Sequence, residues 1–295
     1  MTDTSADVAA PRARGSRRQR TGNERARRLL VLYLVLIAGA FVSVFPFLIA
    51  VFTAFKPTSG LFSGPVWLPT LAPTLNNFIQ VITEHGFLQY IGQTIVYAAL
   101  VTAGQLVFST FAAYAFARMR FPGRDVIFWL YLATLLVPNV VTMIPLFIMM
   151  KDLGWVNTYA GLAAPWILGT PLGVFLMRQF FRSIPNDLED AARVDGASIP
   201  TLLWWIILPL SRPILATLAI ITGVQAWNNL LWPLIISSTS NTRMVTVAIA
   251  DFQSNFGTEW NLMMAAAVIA LLPPIVFFLV FQRQVVRSIV LTGLK

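Results

Sequence analysis

The chain has 295 residues, of which 57 % are hydrophobic and only 11 % charged, with a formal net charge of +9. A soluble domain carries roughly 25 % charged residues, so this chain has too few charges to cover a water-facing surface. With no Cys and a single His (His85), thiolate metal sites, disulfide scaffolds and multi-histidine metal sites are excluded.

In chain order, residues 1–28 come first, a polar tail with eight Arg and three acidic residues. It has no apolar periodicity and reads as a disordered basic cytoplasmic tail that meets lipid headgroups. Residues 29–295 read as one membrane domain. It contains six runs without any charged residue: Leu29–Phe55, Leu88–Ala117, Val126–Met150, Tyr159–Met177, Pro213–Ile236 and Leu262–Gln282. About 20 apolar residues cross the hydrocarbon core as a helix. Lipid offers no partner for backbone N–H and C=O groups, so the fold class is all-α and polytopic, with six transmembrane helices. The first run is nearly twice the length of a signal-peptide core and is expected to stay as a membrane helix.

With the N-terminus placed in the cytoplasm, 18 of the 21 basic residues fall on cytoplasmic segments. Only Lys56, Lys151 and Arg243 fall outside. This positive-inside bias puts both termini in the cytoplasm and the chain in the inner or plasma membrane. It also accounts for the basic charge without a nucleic-acid partner. The proline-rich outer segment Lys56–Phe87 is expected to be irregular, with one short helix near Leu75–Thr83.

The spans hold no ionisable group of the kind that ion-coupled carriers place within the bilayer. They do hold neutral amides: Gln93, Gln105, Asn139, Gln225, Asn228 and Asn229. Such groups suit a hydroxyl-rich solute, or equally hydrogen bonds between helices. A phosphate-binding P-loop needs Lys followed by Ser or Thr. The three lysines precede Pro57, Asp152 and the chain end, so the chain is not expected to hydrolyse ATP. A polytopic membrane enzyme would need acidic or histidine groups gathered at a pocket, and none gather here.

The cytoplasmic loop at about 183–205 breaks the charge rule. Between Ser183 and Asp195 it has a net charge of −3, which suggests docking to a basic partner. Asn186 reads as a helix N-cap, with Glu189 closing a capping-box-like pattern. Gly196 supplies a left-handed stop, and Ser198 caps a second short helix with Pro200 in its first turn.

The run Glu189-Asp190-Ala191-Ala192-Arg193-Val194-Asp195-Gly196-Ala197-Ser198 resembles the EAA loop of ABC importer permeases. Trp227-Asn228-Asn229-Leu230-Leu231-Trp232-Pro233 is similar to the tryptophan segment of the carbohydrate branch. Ala113–Arg118 and Arg120–Arg124 match that branch too, and the resemblance covers residues 29–295, closest to the maltose-type permease. It implies a type I importer fold with short EAA coupling helices, and half of a heterodimeric pore. The implied partners are a second permease subunit, a cytoplasmic ATPase dimer and an extracytoplasmic sugar-binding protein. ATP and Mg would be used by the partner ATPase, with no catalytic or metal site in this chain. The ATPase-coupling residues implied are Glu189, Asp190, Ala191, Ala192, Asp195 and Gly196, with Asp190 at the motif's Glu and supported by Glu189. Trp227, Asn228 and Asn229 are the candidate translocation path: an indole face suits a sugar ring, and amides can bond its hydroxyls.

Overall fold

A computed structural model describes residues 15–61, 64–254 and 259–292, with side chains described over 27–61, 64–253 and 259–281. Among the described residues there are helices and turns and no strand. Helix α1 spans Gly15–Ala54. The sequence reading places residues 15–28 in a disordered tail, but their backbone is helical. Arg, Gln, Glu and Ala in this stretch are good helix formers, and they extend a helix that the apolar run behind them already nucleates. Residues 1–14 of the expected tail lie outside the described residues.

After a 3-10 turn at Thr58–Gly60, α2 covers Asn76–Thr83, where the short outer helix is expected. Buried Asn77 donates to the carbonyls of Ala54 (2.7 Å) and Lys56 (2.9 Å), the orphan acceptors at the end of α1. Asn261 in turn donates to Asn77 Oδ1 (2.9 Å) and Thr58 Oγ1 (3.0 Å), closing this end of the bundle.

Helix α3, Phe87–Arg118, is the longest with all its side chains described and runs as a single 32-residue element. At 1.5 Å per residue it is about 48 Å long, more than the hydrocarbon thickness. It belongs to all three hydrophobic clusters. Phe87 joins Ala54, Val245 and Leu262 near one end. Tyr97 and Val101 join Leu162 and Trp232 in the middle. Ala113 and Tyr114 join Phe128, Met177 and Ile207 at the other end.

The three spans that follow α3 are broken. Helices α4 (Arg124–Ala133, continued by a 3-10 turn at Thr134–Leu136) and α5 (Asn139–Asp152) meet at 100°. The single straight span expected over Val126–Met150 is therefore bent in two. Pro138 removes a backbone N–H and forces Val137 into extended conformation (φ −82°, ψ 118°). Helices α6 (Tyr159–Ile167) and α7 (Pro171–Ser183) are interrupted at Leu168–Thr170, where Gly169 has φ +81°. Thr158 and Thr170 cap them by accepting from Gly161 N (3.1 Å) and Gly173 N (3.3 Å).

Two short helices follow, α8 (Asn186–Val194) and α9 (Ile199–Leu202). A π-helical turn at Leu203–Ile207 leads to α10 (Leu208–Leu210). Helix α11 (Arg212–Trp227) then leaves at 78° to the segment before it. It stops at Trp227, so the run expected to cross as Pro213–Ile236 breaks before α12 (Leu231–Ile236). Helices α13 (Val245–Ser254) and α14 (Trp260–Thr292) complete the chain. By length and composition, four segments can each cross a membrane without a sharp bend: Arg27–Ala54, Phe87–Arg118, Tyr159–Ser183 and Trp260–Phe281. The count rises to six when each bent pair serves as one span.

Candidate functional site

Two places carry the chemistry, one at an end of the bundle and one in its middle. At the end, the acidic loop folds into α8 and α9 as expected, but its N-terminus is built differently. Pro185 is the N-cap residue, no side chain caps the helix, and Asn186 is already its first residue. The Asn186 Oδ1 instead accepts from Arg118 Nη1. The C-terminal stop is as expected: Gly196 sits at φ +83°, and Ala197 N–H bonds the Ala192 carbonyl (2.9 Å). Ser198 caps α9 by accepting from Thr201 N.

The six residues singled out in this loop divide between two faces. Residues three and four apart share one side of a helix. Asp187, Asp190, Ala191 and Val194 follow that spacing and are all exposed, with Val194 at 89 %. Asp195 and Gly196 are exposed, and Ala192 is half-buried. Glu189 is on the other side, only 3 % exposed, with Oε1 2.9 Å from Arg118 Nε. The two neighbouring carboxylates expected to act together therefore part company, Glu189 turned into the bundle and Asp190 exposed. Arg118 also donates from Nη2 to the carbonyls of Phe181 and Ile184, both at 2.6 Å. These carbonyls lie at the C-terminal end of α7, where the Phe181 carbonyl also accepts from Ile184 N (3.2 Å).

A second buried arginine stands close by. Arg178 holds Asp125 Oδ1 (3.1 Å) and the Phe116 carbonyl (3.2 Å), and its guanidinium lies 3.9 Å from the centre of the Phe128 ring. Sequence reading treats both arginines as topological charges. Both also pin helix ends together, a role that only their burial shows.

In the middle of the bundle lies a cavity of about 560 Å³. Five of the six neutral amides from the spans line it: Gln105, Asn139, Gln225, Asn228 and Asn229. Gln93 does not, and donates instead to the Ser240 carbonyl (3.0 Å). Tyr97, Trp166, Thr170 and Thr222 add further polar groups, and no lining residue is charged. The cavity sits where α5, α6 and α11 each begin or end, so chain breaks rather than helix faces supply much of its wall.

The amides differ in how free they are. Gln105 donates to the Trp166 carbonyl (2.5 Å) and accepts from Thr170 N (2.8 Å), satisfying both sides of the break between α6 and α7. Asn229 donates to the Tyr97 hydroxyl (3.2 Å), and Asn228 to its own helix at the Val224 carbonyl (2.9 Å). The side chains of Asn139 and Gln225 have no hydrogen-bond partner among the described residues.

Trp227 does not belong to this wall. It is 8 % exposed and packs with Ala54, Phe87, Val245 and Ala248. The indole at the cavity is that of Trp166, whose Nε1 is buried without a partner. Sequence reading misses Trp166. The signal that marks it is the Pro165, Gly169, Pro171 punctuation, which breaks a span at the depth where transporters bind solute. Among the described residues, no three His, Asp or Glu side chains gather closely enough to ligate a metal ion.

Residues 105–291 match the family described as binding-protein-dependent transport system inner membrane component. The chain is 34 % identical to the arabinooligosaccharides transport system permease protein AraQ of Halalkalibacterium halodurans, over 87 % of this chain and 92 % of that one. It is 35 % identical to the sn-glycerol-3-phosphate transport system permease protein UgpE of Yersinia pestis bv. Antiqua, over 88 % and 94 %. Among solved structures it is similar to a chain of a bacterial ABC transporter involved in the import of the acidic polysaccharide alginate. That match has a TM-score of 0.76 at 23 % identity, covering 93 % of this chain and 99 % of that one. A bacterial alginate ABC transporter in complex with alginate pentasaccharide-bound periplasmic protein matches with a TM-score of 0.65 at 14 % identity, over 90 % and 97 %.

Proposed function

Since the chain belongs to the family of binding-protein-dependent transport system inner membrane components, with the fold of ABC importer permeases, we propose that it is one half of a heterodimeric pore for an oligosaccharide. A second permease subunit supplies the other half. A cytoplasmic ATPase dimer using ATP and Mg drives it, and an extracytoplasmic binding protein delivers the solute. Both termini are cytoplasmic, on the side of Arg118, Arg178 and α8.

The observation that carries the reading is the two-faced α8. Its outward side offers the Asp190 carboxylate, the small Ala191 and the exposed Val194, while its inward side is tied to the bundle through Arg118. A carboxylate beside an alanine lets a basic group approach closely and donate charge-assisted hydrogen bonds to it. When the ATPases close on ATP, α8 and α9 are displaced as a rigid piece and the bent spans follow.

The cavity is the solute path. The free amides of Asn139 and Gln225 and the side-chain oxygens of Asn228 and Asn229, whose Nδ2 groups are the ones engaged, can bond hydroxyls. A phosphorylated solute such as the one named for UgpE would want a basic residue, and this wall has none. The neutral wall therefore favours a hydroxyl-rich sugar.

Two experiments test this. A mild-detergent pull-down of the tagged chain from its native membrane is expected to recover a second permease, an ATPase and a sugar-binding protein. Recovery of a single active polypeptide without an ATPase would overturn the assembly. Asn228→Leu is expected to cut uptake about tenfold, the equivalent of about 1.4 kcal/mol, while leaving assembly intact. Unchanged uptake kinetics would remove Asn228 from the path.

A further inference from the structure

The Arg118–Glu189 pair is more deeply buried than docking or topology requires. Its side chains are 8 % and 4 % exposed. A buried ion pair gains little net stability, because desolvation offsets the attraction, and its best-attested use is to fix one geometry. Here the geometry fixed is a three-way junction. The single guanidinium holds the end of α3, the last carbonyls of α7 and the inward face of α8. Arg193, one helical turn beyond Glu189, approaches the other carboxylate oxygen only to 3.7 Å and is half-exposed, so it does not replace Arg118.

From this junction α3 runs without a break into the cavity. Gln105 lies 13 residues up the helix from Arg118, about 20 Å away. There it holds both sides of the α6–α7 break. Helices α3 and α7 are also in close contact between those points: a Cβ built on Gly173 would lie 2.6 Å from Ser109 Oγ. Movement of α8 therefore reaches the cavity wall through two helices that cannot slide freely past each other.

We propose that the Arg118–Glu189 pair is the internal latch that couples α8 to the cavity, with Glu189 a positioning residue directed inward and Asp190 the carboxylate that faces the ATPase. This rests on the reading that α8 docks an ATPase. It reassigns one of that motif's two adjacent acids from the partner to the chain's own bundle.

The test uses the complete complex, purified by a tag on this chain, with recovered ATPase, ATP hydrolysis and cellular uptake all measured. Glu189→Gln keeps the shape and removes the charge. It is expected to retain the ATPase and its hydrolysis while solute imported per ATP falls about tenfold, within the range of a coupling free energy. Glu189→Asp, which keeps the charge, should recover part of that loss. Asp190→Asn should instead lower the recovered ATPase. A purely structural role for the pair would change complex yield and leave the ratio of uptake to hydrolysis alone.

The latch is overturned if Glu189→Gln loses the ATPase as Asp190→Asn does, or if its ratio of uptake to hydrolysis is unchanged. Should Glu189→Gln fail to reach the membrane, Glu189→Asp decides. A normal yield with a lowered ratio supports the latch. A normal ratio, or absence from the membrane here too, overturns it. If the unaltered chain recovers no ATPase, the reading of α8 fails, separately from the latch.

Discussion

Asp190→Lys is expected to leave the chain in its membrane and strip it of ATPase. Asp190 is exposed and makes no ion pair with any described residue, so the fold loses nothing when its charge is reversed. The effect falls on the contact outside the chain. Losing one partner of a desolvated, hydrogen-bonded charge pair costs about 2–5 kcal/mol, and reversing its sign adds repulsion. At about 1.4 kcal/mol per factor of ten, this is a loss of thirtyfold to several-thousandfold in affinity. Co-purification should show an intact permease pair with little ATPase, and uptake should vanish with it. Asp190→Glu, which restores the length usual in the motif, should be tolerated. Full ATPase recovery with Asp190→Lys would place the docking contact elsewhere on the loop.

The largest loss of stability is expected from Trp232→Ala. Trp232 is completely buried, and its Nε1 donates to the Gly161 carbonyl at 3.1 Å. That bond ties α12 to α6 directly beside the cavity. Truncating a buried Trp costs about 3–5 kcal/mol in soluble proteins. In a bilayer the solvent-transfer part shrinks because lipid is as apolar as the core, but the void and the orphaned carbonyl remain. A loss of about 3 kcal/mol is expected, lowering the melting temperature in detergent by about 6–12 °C. Trp232→Phe keeps most of the ring and loses only the N–H, so it should cost about 1 kcal/mol. Equal melting temperatures for Trp232→Ala and the unaltered chain would show that α12 is not held by this contact.

The amide positions are where sequence and structure agree most closely. Gln105, Asn139, Gln225, Asn228 and Asn229 come from three separate stretches of the chain and meet at one cavity. Their presence in charge-free spans already requires this, because an amide facing lipid has no partner and is turned inward. The tryptophans are less legible. An indole is both a large apolar body and a polar tip, so composition does not separate a cavity wall from a core. Trp227 and Trp232 are core, and Trp166 is at the wall.

Helix direction explains the rest. Glu189 and Asp190 are adjacent in sequence and about 100° apart around α8, and nothing local says which of them faces the bundle. That is decided by Arg118, 71 residues earlier. The bends are legible in principle, since each lies at or beside a proline: Pro138, Pro171 and Pro213. A hydropathy count alone passes over them, because proline and its neighbours remain apolar.

The uncharged cavity wall also bears on energetics. A single elementary charge crossing the bilayer gains or loses about 2.3 kcal/mol per 100 mV. A neutral sugar passing a wall without fixed charge carries none. With the neutral sugar proposed above as its cargo, solute movement in this half of the pore is electrically silent, and import is expected to proceed at the same rate in a cell whose membrane voltage has been collapsed while its ATP is maintained.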